Sequence, residues 1–174
     1  LAMLATDLVA GKSVVLKEGS ITHAVLASTC IPGLFAPVEH EGRWLVDGGL
    51  VENVPVSQLA PLGADVVIGV NLNAAPDYGR PQDLVDVLFN ATDIAIDTTT
   101  RIQMQATDVA INLSLSEYER TNPEHITALY EVGYQAGQDA IPQIRQAVEL
   151  AEPNILERLE RQARSFVEEH WPCL

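Results

Sequence analysis

Cysteine is scarce in this sequence. Cys30 sits in an apolar stretch and Cys173 stands next to the C-terminus. Two cysteines make no disulfide framework, and no CxxC pair exists for a thiolate metal or redox centre. That usage suits a reducing compartment, so a cytoplasmic location is expected. Basic residues are also scarce. Ten Lys+Arg against 24 Asp+Glu leave a formal net charge of −14. Phosphate backbones and anionic bilayers repel such a chain, which excludes nucleic acid as a partner and docking through a basic patch. No apolar run is long enough to span a bilayer as a helix. The N-terminus lacks the basic start and cleavage signature of a signal peptide, and it lacks an initiator Met. What remains is ample for a core: 47% of the 174 residues are hydrophobic and 20% are charged. The length suits one domain, read as 1–150, with an appended helical segment over 151–174.

Hydrophobic periodicity gives the elements. The runs at 1–8 and 13–16, split by Gly11-Lys12, predict a strand pair. Ser20 is a fair N-cap for a helix over 21–30, which Pro32-Gly33 ends. Glu41-Gly42 reads as a turn before the strand Trp44–Val46, and Asp47-Gly48-Gly49 ends that strand in a loop. A short helix starts at Pro55 and ends near Gly63. The run 66–72 reads as a central parallel strand buried on both faces. A long helix follows over 82–105, with Leu84, Val87, Leu88, Ala91, Ala95 and Thr98 as its packing stripe. After a strand at 109–115, a helix is predicted over 125–140. Pro142 and Pro153 then divide two further helical segments, the last an amphipathic helix over 154–170. The fold class is therefore α/β, a mainly parallel sheet flanked by helices, with C-terminal helices added. The strands are few for a complete doubly wound sheet.

Most motifs fail on inspection. Gly11-Lys12-Ser13 resembles the end of a phosphate loop, but Thr6 stands where that motif needs Gly. No serine is flanked by the glycines of a G-x-S-x-G elbow, and no HExxH occurs. His23, His40, His125 and His170 show no ligand spacing, so no metal or cofactor is expected. Asp47-Gly48-Gly49 carries more information. A carboxylate at the carboxyl end of an α/β strand is well placed to act as a base or orienter. The same residue types also make an Asx-type turn, and physics alone leaves both readings open.

The order of blocks adds to this. Ala5-Thr6-Asp7-Leu8, Gly19–Ser28, Ile31–Val38, Trp44–Pro55 with its Asp-Gly-Gly, and Leu62–Asn71 follow one another over residues 5–72. A weaker Gly133-Tyr134-Gln-Ala136 block comes later. In this order they resemble the C-terminal half of a patatin-like phospholipase domain of the bacterial kind. The resemblance implies a serine hydrolase with a Ser-Asp dyad and no cofactor. Asp47 would be the catalytic aspartate, orienting a serine hydroxyl and taking its proton. Gly48 and Gly49 would shape the loop, and Asn53 and Pro55 would hold it. Ser28 and Cys30 would pack rather than react. The substrate would be a lipid ester, with membrane contact through apolar residues such as Leu34-Phe35.

The sequence departs from the family in lacking both the G-x-S-x-G serine and the glycine-rich oxyanion loop. Both are expected upstream of Leu1, so Asp47 has no partner within the chain and the chain alone is expected to be inactive. A fragment, a cleavage product and a degenerate remnant are all consistent with this. A truncated sheet exposes apolar faces and an edge, so self-association or pairing with an N-terminal half is expected. The rival reading is a non-catalytic interaction module that uses the acidic surface and helix 154–170.

Overall fold

Two tight hairpins build the larger sheet. In the computed structural model, which describes residues 1–74, 77–118 and 123–151, β1 (Met3–Asp7) turns back into β2 (Lys12–Leu16). Met3 lies opposite Leu16 and Asp7 opposite Lys12. Asp7 holds the turn, its Oδ1 accepting the amides of Val9 at 2.9 Å and Ala10 at 3.0 Å. The Ala10 amide, aided by the Val9 amide and the Arg43 charge, holds the Asp7 carboxyl below its ordinary range against some desolvation.

The second hairpin joins β3 (Val38–His40) to β4 (Arg43–Asp47). Its turn residues, Glu41 and Gly42, have φ of 50° and 75°. Two successive left-handed residues match the twist of the flanking strands, a geometry that favours Asn-Gly. Glu41 is the one non-glycine described with positive φ. Glu41→Asn is therefore expected to stabilise the chain by about 0.5–1 kcal/mol, because Asn tolerates this region better. The check is a higher urea midpoint at unchanged slope.

The sheet order is β2-β1-β4-β3, and every pairing in it is antiparallel. The expectation of a mainly parallel sheet is corrected here, since strand 44–46 runs opposite to both its neighbours. The reason lies in the connections. A short turn joins each hairpin, whereas a parallel pair needs a crossover of a dozen residues or more. The helix α1 (Ile21–Ser28) links the hairpins, and Ser20 Oγ accepts the His23 amide at its N-terminus. Ala24 and Ala27 of α1 pack on Ala5, Leu16 and Leu45 to form the core, with Met3, Val14 and Val38 around it.

The parallel element is smaller. β5 (Ile68–Asn71) and β6 (Val109–Asn112) pair in parallel, with α3 (Leu84–Met104) as the crossover. Strand 66–72 is parallel as expected but is not buried on both faces. Gly69 and Asn71 are buried, while Ile68 and Val70 are 41% and 48% exposed. The span of α3 matches the expectation and its packing face does not. Leu84, Val87 and Leu88 are exposed, and the buried residues are Asp97, Thr100 and Met104. A helix of 21 residues is about 30 Å long, and two strands are too narrow to cover it. Its C-terminal half is held by polar contacts instead.

The helix α4 (Ile126–Ala151) runs through Pro142 without a break, contrary to the division expected there. The ring removes one amide and leaves the Gln138 carbonyl without its usual partner. Gln138 is exposed, so water can satisfy that carbonyl. The helix expected over 154–170 lies outside the described residues. Among the described residues no helix is long and apolar enough to cross a membrane.

Candidate functional site

Asp47 is the last residue of β4, paired opposite Ala5 of the neighbouring β1. Its amide donates to the Cys30 carbonyl at 2.8 Å, which ties the strand end to the segment after α1. Its Oδ1 accepts the Gly49 amide at 2.8 Å. That bond is an Asx-type turn, one of the two roles open from sequence. Among the described residues the other carboxylate oxygen has no hydrogen-bond partner, and no hydroxyl bonds to Asp47. One oxygen thus fixes the side chain, and the other is left without a hydrogen bond among the described residues.

The two glycines meet different surroundings. Gly48 is buried, and a Cβ there would stand 2.5 Å from the Leu4 carbonyl oxygen. A Cβ on Gly49 would stand 3.1 Å from Asp47 Oδ1 and 3.2 Å from Asn53 Oδ1. The chain turns at once into α2 (Gly49–Glu52), a single helical turn where a loop is the sequence expectation. Asn53 follows, and its Nδ2 donates to Thr100 Oγ1 at 3.1 Å. Pro55 precedes a 3-10 turn over Val56–Gln58, in which Ser57 Oγ and Gln58 Nε2 donate to the Glu52 carboxylate.

Helix α3 braces this loop through residues that sequence reasoning missed. Gln103 accepts the Val54 amide through Oε1 at 2.9 Å and donates through Nε2 to the Val51 carbonyl at 3.1 Å. Thr100 is buried, takes the Asn53 amide and donates to the Ile96 carbonyl at 2.8 Å. One turn earlier, the buried Asp97 carboxylate accepts both contacts of Asn73 Nδ2, at 3.0 and 2.8 Å, and the Tyr78 hydroxyl at 2.7 Å. Asp97, Thr100 and Gln103 recur every three residues along α3. That polar row was the available signal, and the apolar stripe beside it obscured it.

Burial, with the Asp97 carboxylate beside it, pushes the Tyr78 phenol above its ordinary value of 10.0. Below that value both folded and unfolded states keep the proton, and the stabilisation is fully present. Above it the unfolded chain ionises first, so stability falls as pH rises toward the folded-state value. Of the four tyrosines, Tyr78 is expected to ionise late in an alkaline tyrosinate titration. Tyr78→Phe should remove that late component and reduce the alkaline loss of stability.

The fold also joins residues that the sequence left scattered. His40 Nδ1 and His23 Nε2 lie 3.1 Å apart, one donating to the other. No third ligand joins them: among the described residues no cluster of three metal-ligating side chains occurs. Cys30 is buried, with Sγ 3.1 Å from the Ala36 carbonyl, a packed thiol. Thr6 Oγ1 is buried and has no partner among the described residues. Thr6 pairs with Val46, one residue before Asp47.

Comparison with known proteins finds likenesses over part of the chain. The family described as patatin-like phospholipase matches residues 8–60, a stretch that holds Asp47, Gly48, Gly49, Asn53 and Pro55. An uncharacterised NTE family protein of Mycobacterium bovis is 46% identical over 72 residues, covering 41% of this chain and 20% of that protein. A second, from Mycobacterium tuberculosis, is 31% identical over 117 residues, covering 62% of this chain and 20% of its own length. Lysophospholipase NTE1 of Chaetomium globosum is 28% identical over 149 residues, 70% of this chain and 10% of that protein. Over residues 8–60 the chain is thus similar to patatin-like phospholipases, and over longer stretches to NTE family proteins. The chain spans about a fifth of the length of the mycobacterial relatives it matches.

Proposed function

We propose that this chain supplies the aspartate of a Ser-Asp dyad in a serine acyl hydrolase acting on phospholipid or lysophospholipid esters. The observation that carries the reading is the division of labour at Asp47. Its Oδ1 is anchored on the Gly49 amide, and its second oxygen has no partner among the described residues. The family match over this loop and the likeness to a fungal lysophospholipase support the substrate class.

The nucleophilic serine comes from polypeptide beyond these 174 residues, in which no serine lies in a G-x-S-x-G elbow. Its Oγ–H proton passes to Asp47 as Oγ bonds to the ester carbonyl carbon. The ester C–O bond then breaks, and the alcohol leaves with that proton. Water, deprotonated by the same carboxylate, then attacks the acyl carbon; the C–Oγ bond breaks, Oγ leaves with the proton that Asp47 had taken, and the fatty acid is released. Gly48 and Gly49 shape the loop, while Asn53, Pro55, Thr100 and Gln103 position it. The chain alone is inactive. It works in the cytoplasm at a lipid surface, paired with a second copy or with an N-terminal half. That pairing would cover Ile68 and Val70, which are 41% and 48% exposed. A monodisperse monomer of 18.9 kDa, folded and stable, would overturn the pairing.

The test is hydrolysis of a short-chain p-nitrophenyl ester and of lysophosphatidylcholine by the natural polypeptide that carries this chain. Turnover by that polypeptide and none by the 174-residue chain is the expected result. Absence of turnover on any lipid ester would favour the interaction module, for which Asp47 is only a turn residue.

A further inference from the structure

Beside Asp47 the chain presents an apolar turn with no charge in it. From Cys30 to Val38 no residue is charged, in a chain whose net charge is −14. Ile31, Leu34 and Phe35 are 41%, 60% and 56% exposed. The turn is nonetheless built rather than loose. The Leu34 and Phe35 amides both donate to the Ile31 carbonyl, at 3.2 and 3.1 Å. Pro32 and Phe35 form a β-bridge, Gly33 takes a φ of 85°, and Cys30 Sγ closes on the Ala36 carbonyl. The turn is anchored at the site itself, because the Cys30 carbonyl that precedes it accepts the Asp47 amide.

The other exposed apolar residues differ in setting. Those of α3 share their helix with Asp83 at its cap and with Asp86 and Asp93, which would oppose entry into a lipid interface. Among the described residues only the 31–35 turn combines exposed large side chains, no charge and attachment to Asp47. We propose that Ile31–Phe35 is a docking turn for a zwitterionic phospholipid surface, with Leu34 and Phe35 entering the acyl region. The proposal rests on the lipid-ester reading of Asp47, whose substrate would be presented at that surface. Charge selects the kind of surface. An acidic chain is repelled by anionic headgroups, and apolar side chains gain from leaving water at a neutral one.

The experiment is flotation of the natural polypeptide with phosphatidylcholine vesicles. Wild type is expected to float. Leu34→Asp and Phe35→Asp are each expected to lower partitioning about tenfold or more, given what burying one large apolar side chain contributes. Both sites are exposed, and matching circular dichroism and melting curves would confirm that the variants fold. Leu72→Asp, an exposed site just past the end of β5, should float like wild type. Added phosphatidylglycerol should weaken binding, and added salt should not release it. Failure of wild type to float, equal flotation of the Leu34 and Phe35 variants, or binding only to anionic vesicles would overturn the proposal. So would a wild type that self-associates without lipid and variants that turn monomeric, which would make the turn a contact between copies. Asp47→Asn is expected to float. Flotation without hydrolysis would therefore leave the docking turn standing and overturn the hydrolase reading. Hydrolysis without flotation would overturn the docking turn alone.

Discussion

Gly48→Ala is expected to destabilise the chain by about 2–4 kcal/mol and to abolish any activity that depends on Asp47. The methyl group would arrive 2.5 Å from the Leu4 carbonyl oxygen and 2.8 Å from its carbonyl carbon. Both are backbone atoms of β1, which is held between β2 and β4. They cannot swing aside as a side chain would. Relief would require β1 and β4 to separate where Ala5 pairs with Asp47, and that movement displaces the carboxylate itself. Gly49→Ala is the natural comparison. Its methyl would meet side-chain oxygens of Asp47 and Asn53 at 3.1 and 3.2 Å, and a shift of a few tenths of an ångström relieves those contacts. Its cost should be well below that of Gly48→Ala. Urea unfolding of the three proteins gives the order directly. A Gly48→Ala chain as stable as wild type would show that the loop does not need this close approach.

The sequence was most legible where structure is local. The first hairpin, the Ser20 cap and the Glu41-Gly42 turn each depend on a few adjacent residues, and each is present. Asp47 stood out because a carboxylate and two glycines follow an apolar strand. The antiparallel sheet was not legible, because it rests on the pairing of β1 with β4, about forty positions away. Strand periodicity identifies a strand but carries no information about its neighbour's direction. The face of α3 was misread for a related reason. Its apolar stripe is genuine, but the two-stranded sheet lets the helix pack through Asp97, Thr100 and Met104 instead. Thr100 and Gln103 became visible as site residues only once α3 lay against the Asp47 loop. Periodicity ranks residues by hydrophobicity, so a buried polar brace is what it passes over.

Asp47→Asn and Asp47→Ala should separate the two roles that Asp47 combines. Asn keeps an oxygen where Oδ1 accepts the Gly49 amide, so the turn is expected to survive and stability to stay within about 0.5 kcal/mol of wild type. What Asn loses is the ability to take a proton. If Asp47 is the dyad base, hydrolysis by the natural polypeptide should fall about 10²–10⁴-fold, the usual contribution of a positioned acid–base group. Ala loses both functions. It should match Asn in lost activity and also melt earlier, by about 1 kcal/mol for the missing hydrogen bond. The reverse pattern is equally informative. Full activity in Asp47→Asn with a loss only in Asp47→Ala would mean that Asp47 serves the backbone and nothing else. The Ser-Asp dyad would then be the wrong reading, and the carboxylate at the end of β4 would be a strand-ending turn in an interaction module.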